Sequence, residues 1–209
     1  ELVAKTLKQS QMGPSPQAGP ETLMRRVSLD LTGLPPSPEQ IQNFITDKSP
    51  ESYDKLVDQL LNSQAYGEKM TWAWLDAARY ADSNGYQGDG ERTMWPWRDW
   101  VIKSFNENLP FDKFTVWQIA GDLLPEASVE QKIASGYNRL LQTTEEGGAQ
   151  AKEYITIYAA DRVRNVSGAW MGGTLGCAQC HDHKYDPYTS KDFYSMAAFF
   201  ADIKENAVG

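Results

Sequence analysis

Apolar residues return at helical spacing in one segment of this chain after another, and nowhere do they alternate at period two for long enough to make a strand. That pattern predicts an all-α fold. In ETLMRRVSLDLTG, Leu23, Val27 and Leu31 share one face, and Gly33 followed by Pro35 and Pro36 supplies the usual stop. Ser37 and Ser52 are expected as N-caps of two short helices, PEQIQNFIT and YDKLVDQLLN. A longer helix is expected over residues 66–82 and another over WRDWVIKSFNEN, with shorter pieces over FTVWQIAGDLL and VEQKIASGYNRLL. The longest is expected from about Gln150 to Trp170, and SKDFYSMAAFF supplies the last. Residues 1–11 are only weakly periodic, and three prolines in MGPSPQAGP interrupt any helix there. The reading is therefore an N-terminal segment and connection over 1–19, then a single irregular multi-helix domain over 20–209.

Composition bounds what such a chain can be. With 209 residues, 41% hydrophobic and 11% aromatic, it can bury a full core, as one large domain or two small ones. The mean hydropathy of -0.56 and the lack of any apolar run near about eighteen residues exclude a membrane span in this segment. A net charge of -8 with both signs interspersed argues against nucleic acid, whose phosphates would be repelled. ELVAK, without an initiator Met, reads as the start of a processed or excised segment.

Both cysteines and both histidines of the chain fall within residues 177–183 of LGCAQCHDHKYDP. Cys177-Ala178-Gln179-Cys180-His181 is C-x-x-C-H, the attachment signature of c-type haem. On a helical turn the positions i, i+3 and i+4 share a face, so two thiols reach the haem vinyl groups while the imidazole turns to the iron. Asp182 or a backbone carbonyl can then fix the imidazole tautomer. Two other readings stand beside this one. A thiol-disulfide redox pair wants a strand-helix context that this helical pattern does not offer. A zinc site from Cys177, Cys180, His181 and His183 has suitable ligand types, but ligands so close in sequence do not easily reach the four corners of a tetrahedron. His183 cannot reach round to the distal face of the same iron. It is expected either to hydrogen-bond beside the haem edge or to ligate a second metal or a haem in a partner.

Four stretches, RRVSLDLTGLPPSPEQ, the segment from LLNSQAYGEKM to WLDAARYADSNGYQGDGE, WPWRDWVIKSFNENLPFDKFTVWQIAGDLLP and GCAQCHDHKYDPYTSKDFYSMAAFF, together resemble the cytochrome-associated domain of unknown function abundant in planctomycete bacteria. The resemblance covers roughly residues 20–202. It implies an extracytoplasmic, periplasmic haem c protein, set in a larger chain beside other domains, with those domains or a redox protein as partners. It implies no particular activity.

Residue types suggest the surroundings of the haem. Six of the seven tryptophans lie between residues 72 and 117, a density that is either core or haem lining. Arg79, Arg98 and Arg162 are candidates for the haem propionates, though each can equally pair with Asp76, Asp99 or Asp161. Among the methionines, Met94 is expected as the sixth iron ligand, because it follows a Gly-rich loop and precedes Trp95, Pro96 and Trp97; Met70 is the reserve. The metal ligands are then His181 and Met94. DSNGYQGDGE (82–91) and TTEEGGAQ (143–150, with Glu145 and Glu146) are rich in calcium-type ligands, but loop chemistry explains either without a metal, and bound calcium stands second to it. These residues support an electron-transfer module with one covalent haem. The alternative is a haem enzyme or small-ligand sensor with an open distal site.

Overall fold

A computed structural model describes residues 1–204, as ten α-helices and three 3₁₀ turns; among the described residues there is no strand, only an isolated bridge between Ser83 and Glu91. The helices are α1 (Leu2–Gln9), α2 (Pro20–Thr32), α3 (Pro38–Thr46), α4 (Ser52–Leu61), α5 (Gln64–Ala78), α6 (Trp95–Asn106), α7 (Phe111–Ala120), α8 (Val129–Ala134), α9 (Ala151–Met171) and α10 (Ser190–Ala198). No helix among the described residues is long and apolar enough to cross a membrane. The chain divides into two compact units, Glu1–Lys69 and Met70–Gly209, and the division falls within α5. The expected boundary after residue 19 concerns α1, which buries none of its residues.

In the first unit, α2, α3 and α4 close over Met24, Val27, Leu56 and Leu60, with Leu31, Ile41 and Phe44 against them. Helical spacing in α2 and α4 puts these side chains on one face of each helix, and their burial is what holds three short helices that would not persist alone. Ser37 caps α3 as expected, in a reciprocal pair with Gln40. Ser52 does not cap α4. The cap is Glu51, because the amide of Ser52 already closes a turn onto the carbonyl of Ser49 at 3.1 Å.

The second unit carries two cores. The larger is aromatic: Trp97, Trp100, Phe114 and Tyr137 are buried, with Trp74, Trp117 and Trp170 packed against them. These rings fill one another's space. Trp74 meets Trp170 edge-on at 4.6 Å between centroids, and Trp100 stacks on Phe114 at 5.6 Å. The smaller core joins α9 to the C-terminal segment through Ala160, Val163, Leu175, Ala178 and Phe193. The helix expected over 66–82 ends at Ala78, where Arg79 turns left-handed at φ 60 and the amide of Tyr80 reaches back to the carbonyl of Leu75. The longest helix is α9, with 21 residues, close to its expected span.

Candidate functional site

The last turn of α9 stops at Gly172, whose φ of 61 no β-carbon-bearing residue adopts as cheaply. The chain then enters a 3₁₀ turn over Leu175–Gln179. Leu175 and Ala178 are 2% and 0% exposed and plug the smaller core, which turns their neighbours outward. Cys177 and Cys180 are both exposed free thiols. The amide of Cys180, the residue that ends the turn, donates to the carbonyl of Cys177 at 3.4 Å, so the last bond of the turn links the two cysteines. The expected α-helical turn is thus a 3₁₀ turn, and His181 follows just outside it rather than on its face.

His181 and His183 are held in opposite tautomers. The Nδ1 of His181 lies 2.8 Å from the carbonyl oxygen of Asp182; a carbonyl only accepts, so Nδ1 carries the proton and the lone pair of Nε2 is left for a ligand bond. Asp182 is itself tied to the start of α10, its Oδ1 accepting from the amide of Ser190 at 2.8 Å. His183 is the reverse. Its Nδ1 accepts from the amides of Asp186 at 2.9 Å and Tyr185 at 3.3 Å, so its proton sits on Nε2, 3.4 Å from the hydroxyl of Thr174. With its own amide donating to the carbonyl of Tyr188 at 2.7 Å and its side chain 9% exposed, His183 organises the 183–188 loop. Of the two readings of His183, the geometry fits the hydrogen-bonding one.

The three arginines expected at the propionates all have protein partners. Arg79 makes two parallel bonds to Asp161, at 2.7 and 2.6 Å, and this contact raises its pKa. Arg98 donates twice to Asp99, at 3.0 and 2.8 Å, and lies over the ring of Tyr80. Arg162 is buried, and its Nε donates to the carbonyl of Asn138 at 2.9 Å. Sequence reasoning missed a fourth, Arg164. It donates to the side-chain oxygen of Gln179, inside the signature, while the hydroxyl of Tyr194 holds the Gln179 carbonyl at 2.9 Å. No sequence signal marks Arg164; only the packing of α9 on the 3₁₀ turn brings it there.

Met94 is the N-cap residue of α6 and packs against the aromatic core, its methyl group beside Gly136. The buried residues of the attachment turn belong to the smaller core, so the structure does not group Met94 with Cys177, Cys180 and His181. The two calcium-like loops, separate in sequence, come together: Asn84 donates to Glu145 at 2.7 Å, and the amide of Thr143 donates to the carbonyl of Asn84 at 3.2 Å. The Ser83 side chain, and then the amide of Gly85 at 2.6 Å, donate to Asp89 and lower its pKa. Amide donors thus meet one carboxylate oxygen of Glu145 and one of Asp89. Among the described residues no three His, Cys, Asp or Glu side chains gather as a metal-holding group.

No curated protein and no solved structure matches the chain. The match to a family model takes in residues 1–205, the first nineteen included: the chain belongs to the PSCyt2 family, described as a protein of unknown function (DUF1549).

Proposed function

We propose that this chain is a c-type cytochrome domain that binds one covalent haem through Cys177, Cys180 and the Nε2 of His181, and transfers electrons within a larger extracytoplasmic protein. One observation carries the reading: two free, exposed cysteines joined by an i to i+3 backbone bond, followed by an imidazole whose Nδ1 proton is bound by a carbonyl and whose Nε2 is open. The residues fit the group. Cys177 and Cys180 would form the thioethers, and His181 would be the iron ligand, oriented by the carbonyl of Asp182. Haem, when bound, supplies a one-electron carrier that no side chain of this chain provides. Leu175 and Ala178 keep the turn seated while Asp182 ties the ligand loop to α10. With the thiols exposed and the tryptophans packed on one another, the haem is carried at the turn, not enclosed among the Trp-rich helices. Attachment chemistry of this kind also implies a compartment outside the cytoplasm, and a redox partner in a neighbouring domain or a separate protein.

Expression in a periplasm with a c-type maturation system tests the reading. The expected product is coloured and keeps its haem through acid-acetone extraction, and Cys177→Ser or Cys180→Ser each loses a thioether. A colourless wild-type protein, or one that carries zinc instead, sinks it.

A second reading, a haem enzyme or gas sensor with an open distal position, is favoured by the packing of Met94, whose thioether already fills a place in the aromatic core. Carbon monoxide distinguishes the two. Rapid binding to the reduced wild type selects the open site, and no binding selects a sixth ligand, for which Met94 is the first residue to replace.

A further inference from the structure

Asn84-Gly85 is the only Asn-Gly pair in the sequence, and the joining of the 82–91 and 143–150 loops uses both of its residues. Asparagine before glycine is prone to cyclise, because no side chain hinders the glycine nitrogen on its way to the asparagine side-chain carbon. Gly85 stands at φ 71, and a β-carbon on it would lie 3.3 Å from Gln142, whose Nε2 donates to the Gly85 carbonyl at 2.9 Å. Asn84, 9% exposed, spends both ends of its amide on the opposite loop. Its Nδ2 donates to Glu145 at 2.7 Å, and its Oδ1 accepts from the hydroxyl of Thr143 at 3.1 Å. An aspartate in its place would set a second carboxylate against Glu145. The loop closure therefore selects the reactive pair, and the two bonds from the 143–150 loop restrain the side-chain rotation that cyclisation needs. A third contact is of another kind. The Gly85 amide donates to Asp89 at 2.6 Å, within the 82–91 loop itself, so this bond persists when the loops part. A carboxylate on the N–H of the attacking nitrogen is a general base already in place. Arg92 keeps such parting local, because its guanidinium donates to the carbonyls of Leu141 at 2.7 Å and Arg139 at 3.3 Å and holds the base of the loop pair.

We infer that Asn84 is a guarded deamidation site, whose reaction releases the 82–91 loop from the 143–150 loop in one direction only. When the loops part, the Gly85 nitrogen attacks the side-chain carbon of Asn84 and its proton passes to Asp89. The new C–N bond closes a cyclic imide, the bond to Nδ2 breaks, and that nitrogen leaves with the proton as ammonia. Water then opens the imide to aspartate or isoaspartate. Either product turns a carboxylate to Glu145 where an amide donated before, and isoaspartate also lengthens the backbone, so the loops do not rejoin as they were. The reaction needs no haem and stands apart from the cytochrome reading.

The test incubates the full chain at mildly alkaline pH, folded or unfolded in urea, and follows the tryptic peptide 80–92 by mass spectrometry for deamidation and isoaspartate. In urea, Asn84 is expected to convert ahead of every other asparagine. The folded chain is expected to convert at least about tenfold more slowly, since only its parted fraction reacts. Glu145→Ala and Thr143→Val each remove one guarding bond and are expected to speed the folded-state reaction several-fold. Thr143→Val decides alone if Glu145→Ala loses its helical circular dichroism. Asp89→Asn added to the faster variant is expected to slow it again. Asn84→Asp, which stands for the product, is expected to raise hydrogen exchange at the amides of Thr143 and Glu145, which donate across to the 82–91 loop, while α9 keeps its protection. Equal rates in folded and unfolded wild type overturn the guard, as does a wild-type rate in the guard variants. An Asn84 that outlasts the other asparagines in urea overturns the reactive site. An undiminished rate on adding Asp89→Asn overturns the base, and wild-type exchange in N84D overturns the release.

Discussion

Two histidines separated by one residue have been given different work by their hydrogen bonds. Both ring nitrogens of His183 face protein groups, two amides on Nδ1 and a hydroxyl near Nε2, whereas His181 spends only Nδ1 and leaves Nε2 open. His183→Ala therefore removes the acceptor that gathers the 183–188 loop. At about 1 kcal/mol net for each lost bond, the haem-free chain is expected to lose about 2 kcal/mol in urea denaturation. The covalent haem and its proximal ligand are expected to remain. His181→Ala is expected to do the opposite, moving stability of the haem-free chain by about 0.5 kcal/mol or less, since its ring is exposed and makes one local bond, while abolishing the low-spin spectrum of the loaded protein. Equal spectral effects from the two substitutions would remove the distinction drawn between them.

Elements show where the sequence was informative and where it was silent. The periodicity that defines α2 and α9, the Ser37 cap and the Gly33 stop are local properties, written within a few residues, and the structure follows them. The end of α5 is not local. Arg79 takes the left-handed position that closes the helix without being glycine, and its guanidinium is held by Asp161, 82 residues away, a partner that no window of sequence around Arg79 contains. The same holds for the site: the C-x-x-C-H signature is contiguous and legible, but Arg164 joins it only through the docking of α9. Residue type was equally ambiguous for the tryptophans, whose core and ligand-lining roles demand the same rings. Arg79 allows a direct check. Arg79→Ala and Arg79→Gly both lose the pair with Asp161, but only Ala bears the left-handed penalty, so the Gly variant is expected to be the more stable by about 1 kcal/mol. Gly121 allows another. A β-carbon there would stand 2.2 Å from the carbonyl oxygen of Gln131, where the start of a 3₁₀ turn crosses α8, and backbone cannot yield as a side chain can. Gly121→Ala is expected to cost about 3 kcal/mol in the same denaturation assay, against near neutrality for Gly147→Ala, which meets open space.

For the molecule as a whole, the aromatic core that organises the second unit also sets how it responds to alkali. Burial pushes the Tyr137 phenol up to about 12, and Tyr80, stacked on Trp97, is likewise raised to about 12 by burial and by its bond to Asp82. The sign follows from linkage. A tyrosine in the unfolded chain releases its proton near about pH 10, while in the folded chain these two retain theirs; between those limits the unfolded state binds fewer protons, and stability falls as pH rises. The contribution is fully present below about pH 10 and lost on the way to about pH 12. For Tyr137, which is 4% exposed, the loss amounts to about 2 kcal/mol across that window; Tyr80 is partly open to solvent and adds less. Tyr137→Phe separates this effect from ordinary packing. At neutral pH the variant lacks only the hydroxyl bond to Asn165 and is expected to be about 1 kcal/mol less stable than wild type. It has no phenol to titrate, so the wild-type advantage should shrink and then reverse as pH climbs from 10 to 12. Urea midpoints at a series of pH values measure the two curves. A constant gap between them across that range would mean that Tyr137 ionises no later in the folded chain than in the unfolded one, and that the aromatic core admits the phenolate.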